Sequence, residues 1–130
     1  MGTRAIEEKC GGVPQPFRTN EELKATVRKY INSKDNPKDA EEIARTYSWP
    51  IGKWDVSNLQ DFSGVFQDCY TFNEDISEWD TSNATNMLCM FYDAAMFNQP
   101  IGRWNTSSVQ SMLSMFCAVS YTHLTLPTKA

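Results

Sequence analysis

Six side chains recur at two fixed phases of a 25-residue spacing: Lys53 and Asp55, Glu78 and Asp80, Arg103 and Asn105. Charged and amide groups repeated at one interval form a row. Such a row can hydrogen-bond a protein or a glycan, or ligate Ca²⁺ weakly where carboxylates stack. The Lys53, Glu78 and Arg103 column is constant in position and variable in sign, as a recognition surface is and as any solvated face is. Asp and Asn ahead of a turn also bond their own backbone, so a local structural role competes for Asp55, Asp80 and Asn105. These six residues are the candidate contact face.

Catalysis has little to work with. General acid–base and nucleophilic schemes lean most often on histidine, and His123 is the one histidine of the chain. The adjacent carboxylates Glu74 and Asp75 do not recur, since Gln99 and Pro100 take their places one unit on; a solvated loop is expected there. Cys10, Cys69, Cys89 and Cys117 show no C-x-x-C spacing and have no histidine beside them, which argues against zinc and for free thiols. The sequence therefore predicts no catalytic residues, no metal and no cofactor. Met87, Met90, Phe91, Met112, Met115 and Phe116 could line an apolar groove, but their helical spacing favours core. The triplets Asn83-Ala84-Thr85 and Asn105-Thr106-Ser107 are glycan acceptors only on a eukaryotic secretory route.

The candidate face needs a scaffold that repeats with it. Trp54, Trp79 and Trp104 stand 25 residues apart, as do Ile51, Ile76 and Ile101, Ser57, Ser82 and Ser107, and Phe66, Phe91 and Phe116. The units run Tyr47–Thr71, Phe72–Met96 and from Phe97 onward. Each has a first half, I-x-x-W-[DN]-[VT]-S, in which Trp54 and Val56 alternate as a short strand would. In the second half Leu59, Phe62, Val65 and Phe66 follow at i, i+3, i+6 and i+7, one face of a short helix. Ser57 with Gln60, and Ser107 with Gln110, have capping-box spacing at its start. The predicted fold is an α/β solenoid of short strand-plus-helix repeats, leucine-rich-repeat-like, with its Trp rings stacked inside at about the 4.8 Å inter-strand distance.

Ahead of the repeats, Thr19 and Glu22 form a capping box and Leu23, Val27, Tyr30 and Ile31 follow at helical spacing. A helix is expected from Asn20 to Asn32. Pro37 opens a second, at a position where its missing N–H is harmless, ending near Tyr47. Together they make an α-helical N-terminal cap, needed because the first unit of an array exposes an apolar end. The expected organisation is a disordered tail over 1–16, the cap over 17–46, three repeats over 47–118 with the last truncated, and a non-native tail over 119–130.

Phe72–Phe91 (F-N-E-D-I-S-E-W-D-T-S-N-A-T-N-M-L-C-M-F) and Phe97–Phe116 (F-N-Q-P-I-G-R-W-N-T-S-S-V-Q-S-M-L-S-M-F) resemble the BspA-like leucine-rich-repeat surface proteins, a family that includes the domain first noted in mycoplasma lipoproteins. The resemblance covers about Tyr47 to Phe116 and extends to the lead-in E-E-L-K-A-T-V. Departures are Asn105 for Asp, Ala84 for Val, and Tyr47-Ser48-Trp49-Pro50 for F-N-Q-D. The resemblance implies a repeat array in a surface or secreted protein, used for adhesion or protein contact, without enzymatic activity. Val119–Thr128 resembles instead a translated sequencing-library adapter, and the register breaks there: Thr122, Leu126 and Lys129 stand where an aromatic, an Ile and a Trp are due.

Composition sets outer bounds. The chain has 130 residues, 41% hydrophobic and 22% charged, with a net charge of −4. That suits one domain with a core and not a nucleic-acid surface, which needs clustered Lys and Arg. No run of about 20 apolar residues exists to span a membrane. Met1 to Val13 is polar and does not read as a signal peptide, which leaves a cytosolic location or a lost start. The expected function is a non-catalytic binding or adhesion module within a longer surface or secreted protein, its partner a protein or glycan. The alternative is a structural spacer supporting another domain. About three repeats are the minimum for a stable array, so self-association through the C-terminal end is expected as well.

Overall fold

The computed structural model describes residues 14–117. Helix α1 spans Asn20–Asn32 and α2 spans Pro37–Thr46, joined by a 3-10 turn at Ser33–Asp35. The two helices lie where capping and spacing put them. Thr19 is extended and its hydroxyl accepts the Glu22 N–H at 3.1 Å, while Glu21 and Glu22 favour the positive end of the helix dipole. The Glu22 carboxylate accepts the Arg18 N–H at 2.9 Å, so the return bond of the box reaches one residue further back than expected. Pro37 opens α2. Lys29 of α1 pairs with Glu42 of α2 at 2.9 Å. Gln15 N–H donates to Thr46 O at 2.9 Å, which ties residues just ahead of Phe17 to the end of α2; the rest of the expected N-terminal tail, residues 1–13, lies outside the described residues.

The repeats are not the strand-plus-helix solenoid that the sequence suggests. Among the described residues there is no strand and no sheet, and between Tyr47 and Cys117 the one helical element is a single 3-10 turn at Ile51–Lys53. The leucine-rich-repeat comparison falls with it. What replaces strand and helix is a regular alternation of turns. Val65, Gln67 and Cys69 donate their N–H three residues back, to Phe62, Gly64 and Phe66. The residues between them, Phe62, Gly64, Phe66 and Asp68, send theirs outward to Asn86, Leu88, Met90 and Tyr92 of the next unit, at 2.8–2.9 Å. Met87, Cys89, Phe91 and Asp93 repeat the outward set to Ser111, Leu113, Met115 and Cys117. An α-helix would take every N–H four residues back within itself, and half of these donors are committed elsewhere.

Backbone dihedrals enforce the difference. Gly64, Cys89 and Ser114 share one phase of the repeat and lie at φ +65°, +55° and +55°; Asp68 and Asp93 share another, at +62° and +58°. A right-handed helix cannot run through such residues. In the first half, turns close from Ile51 O to Trp54 N–H and from Val56 O to Leu59 N–H. Too little chain remains between them for a strand, and pairing between units shrinks to isolated parallel bridges, Asp61 with Asn86 and Asn86 with Ser111.

The apolar faces are nevertheless the ones the spacing marks. Ile51, Trp54, Val56, Leu59, Phe62, Val65 and Phe66 are all buried, and so are Ile76, Trp79, Met87, Met90 and Phe91. Equivalent rings stack between units: Trp79 on Trp54 and on Trp104 at 6.5 Å, Phe91 on Phe66 at 5.3 Å and on Phe116 at 5.5 Å. These centroid distances exceed a strand spacing because offset rings avoid face-to-face repulsion. Each indole also donates to the preceding unit, Trp79 Nε1 to Ile51 O at 2.9 Å and Trp104 Nε1 to Ile76 O at 3.0 Å. Trp54 has no unit before it and takes Ser48 O instead, at 3.1 Å.

α1 and its lead-in close that first edge. Phe17, fully buried, is sandwiched between Tyr47 at 4.1 Å and Trp54 at 5.1 Å. Asn20 Nδ2 donates to Asp61 O at 3.1 Å and Ser63 O at 3.0 Å. Those carbonyls are 25 residues before Asn86 O and Leu88 O, which receive the first unit's N–H groups. One side-chain amide therefore stands in for two backbone donors of a missing unit.

Candidate binding face

The first half of each unit carries the candidate face. Trp54 and Val56 point inward, so Lys53 and Asp55 between them point out, and the same holds for Glu78 and Asp80 and for Arg103 and Asn105: all six are exposed. The structure thus brings them to one side of the stack, one pair per unit. Arg103 approaches Glu78 to 3.9 Å across units, with both side chains more than 70% exposed. A pair so open to solvent contributes little to stability.

Asp55, Asp80 and Asn105 each have a local task. Their Oδ1 atoms accept the N–H of Ser57, Ser82 and Ser107 at 3.0 Å, and the hydroxyls of the same serines at 2.6–2.7 Å. These are Asx turns. They also account for the serines, whose hydroxyls go to the aspartate column and cap no helix. The two bonds from Ser82 hold the Asp80 carboxyl below its usual range. The second oxygen of each aspartate has no protein partner among the described residues, so the turn fixes the carboxylate and leaves it half free.

Beside this column lies a shallow groove of about 690 Å³ lined by Pro50, Gly52, Lys53, Trp54, Asp75 and Glu78. Gly52 makes the close approach of the first two units possible, since a Cβ there would collide with the Asp75 carbonyl oxygen. Asp75 accepts the Ser77 N–H at 2.9 Å, and the Ser77 bonds, helped by Arg103, hold its carboxyl below the usual range. The groove therefore sets one cation, Lys53, against the anions Asp75 and Glu78. Among the described residues no three His, Cys, Asp or Glu side chains gather as a metal site would require.

Several contacts were not expected from the sequence. Glu74 is not a merely solvated loop residue: it accepts the Tyr30 hydroxyl of α1 at 2.6 Å. Glu22 likewise accepts the Tyr47 hydroxyl at 2.7 Å. Burial, and then the bond to Glu22, pushes Tyr47 up to about 12. A second row of Asx turns runs through Asp61, which accepts Ser63 N–H, and Asn86, which accepts Leu88 N–H, both at 2.9 Å. Asn73 takes Asn98 N–H at 2.8 Å and Gln99 Nε2 at 3.0 Å on its Oδ1, binding the third unit to the second. The Asn73/Asn98 and Asp68/Asp93 columns were the available signals, since Asp and Asn tolerate the left-handed region and close local turns. Cys69 is buried, Cys89 half-buried and Cys117 exposed, all as free thiols; Cys69 lies against the Arg28 guanidinium.

A family model described as "Mycoplasma protein of unknown function, DUF285" matches residues 17–126. The chain belongs to that family. The matched span takes in the lead-in of α1, all three repeats and residues 119–126 of the segment that the register sets apart; the proposed adapter origin of that segment lies outside the described residues. No curated protein and no solved structure matches the chain significantly. Among the described residues no helix is long and apolar enough to cross a membrane.

Proposed function

We propose that the chain is a non-catalytic binding module of a surface protein, BspA-like in its use, and that Lys53, Asp55, Glu78, Asp80, Arg103 and Asn105 form its contact face for a protein or glycan. The observation that carries this reading is a division of labour within the face. Asp55, Asp80 and Asn105 are held rigidly by their serines. Lys53, Glu78 and Arg103 contribute almost nothing to the fold and change sign from unit to unit. Rigid polar groups interleaved with freely variable charges give preorganised recognition at low entropic cost. The groove between Lys53, Asp75 and Glu78 offers a recess for a polar group of the ligand.

The test is a triple variant, Lys53→Ala, Glu78→Ala and Arg103→Ala, compared with the unaltered chain on arrays of glycans and of purified cell-surface proteins. The expected result is one or more ligands bound by the unaltered chain and weakened at least tenfold in the variant, with circular dichroism and melting unchanged. Equal binding by both chains, or binding by neither, contradicts the assignment.

A further inference from the structure

The groove between the first two units has a lining that the fold does not require. Pro50, Gly52, Lys53, Trp54, Asp75 and Glu78 form it. Asp75 is the single acid of its column, since the residues 25 before and after it are Pro50 and Pro100. Ser77, which fastens the Asp75 carboxylate, stands likewise between Gly52 and Gly102. All three units close the Ile-to-Trp turn that follows in the same way, so the Asp75–Ser77 pair is not what forms that turn. The floor is bare at Gly52, where a Cβ would collide with the Asp75 carbonyl oxygen.

The lining mixes acceptors and donors. A carboxylate has about four acceptor positions. Ser77 engages Asp75 through its N–H, at 2.9 Å, and its hydroxyl, which leaves acceptor capacity. Lys53 is exposed and has no ion pair among the described residues. Glu78 is shared with Arg103 at 3.9 Å. Trp54 is buried, so the exposed Pro50 ring is the apolar flank. The face lacks an anchor for a protein. Protein interfaces draw most of their energy from a few large side chains buried at the centre of the contact. The exposed large hydrophobic residues, Tyr70, Met96 and Leu113, all lie outside 50–55, 75–80 and 100–105.

We propose that the ligand of the contact face is a glycan, that this groove holds one neutral sugar unit of it, and that Asp75 determines which sugar enters; the inference rests on the contact face assigned above. A hydroxyl both donates and accepts, as the lining demands. Two neighbouring hydroxyls donate to the Asp75 carboxylate, a third accepts from the Lys53 ammonium, and the C–H face of the ring rests on Pro50. A cationic ligand fits less well, because Lys53 repels it and Arg103 already acts on both Glu78 and Asp75. An anionic ligand meets two carboxylates.

The test titrates the full chain, labelled with ¹⁵N, with the methyl glycosides of glucose, galactose, mannose, N-acetylglucosamine and fucose in turn, and with Nα-acetyl-lysine methylamide as the cationic comparison. Saturable shifts of the Gly52, Lys53, Asp75 and Glu78 amides are expected with at least one glycoside, with Kd raised at least tenfold in Asp75→Asn. Asparagine keeps the turn, as Asn105 does with Ser107, so this variant should melt unchanged. No shift with any glycoside, equal binding by Asp75→Asn, or tighter binding of the lysine derivative overturns the proposal. The contact face fails or stands separately. A purified protein bound by the unaltered chain and lost by the Lys53, Glu78 and Arg103 triple variant, with the glycosides silent, keeps the face and overturns the glycan.

Discussion

At the scale of single residues the indoles bear the most weight. Trp79 is buried, stacks on two neighbouring indoles and bonds the carbonyl of Ile51 in the unit before it. Phenylalanine keeps much of the ring and loses the N–H. Trp79→Phe is expected to lower stability by about 1–3 kcal/mol, combining a lost buried hydrogen bond with a small cavity; urea denaturation measures it, and an unchanged midpoint would mean the indole bond is not a structural tie. The tyrosines that dock the cap predict an alkaline limit. Burial raises the pKa of Tyr30 and of Tyr47, and the bonds to Glu74 and Glu22 raise them further, Tyr47 to about 12. A group whose pKa is raised by folding stabilises fully below its unfolded value and loses that contribution as pH climbs to the folded one. Melting temperature is therefore expected to fall between the ordinary tyrosine value of 10.0 and about 12, and to fall less in a Tyr30→Phe, Tyr47→Phe variant. The two hydroxyls protect the cap only while protonated.

At the scale of elements the decisive feature is the left-handed column of Gly64, Cys89 and Ser114. Opposite substitutions there should have opposite signs. Gly64→Ala places a Cβ in the left-handed region at a cost of about 1–2 kcal/mol. Ser114→Gly relieves such a position and should gain roughly 0.5–1 kcal/mol after glycine's own entropy. Thermal melts of the two variants shifting in the same direction would contradict the assigned backbone. The same column explains what the sequence hid. The helices α1 and α2 were legible because the start signals at Thr19, Glu22 and Pro37 are followed by residues with no left-handed position among them, so the helix each signal opens can continue. The inward residues of the repeat were legible because Leu59, Phe62, Val65 and Phe66 must be buried in either conformation. Their conformation was not, since spacings of three and four residues arise from successive three-residue turns as readily as from a helix. Only one of the three left-handed positions is a glycine, so no row of glycines marked the break. Within the candidate face, exposure and register followed from alternation with Trp54 and Val56, whereas Ser57 and Ser107 looked like helix caps because Gln60 and Gln110 stand three residues after them, the spacing of a capping box.

At the scale of the whole molecule, one end is closed and the units between are joined by a single repeated pattern. Phe17 covers the first indole and Asn20 covers the first carbonyls, so the cap supplies by side chains what a preceding unit would supply by backbone. The pattern sends alternate N–H groups along the stack and the others into local turns. It gives the array its register without strands, and it places Lys53, Glu78 and Arg103 at equal intervals on one side. Amide hydrogen exchange read residue by residue by NMR tests this most directly. Slow exchange is expected at Phe62, Gly64, Phe66, Met87, Cys89 and Phe91, whose N–H groups bond the next unit, and faster exchange at Val65 and Gln67, whose N–H groups close local turns. Uniform protection through 59–67, as an α-helix with bonds four residues back would give, would contradict that pattern.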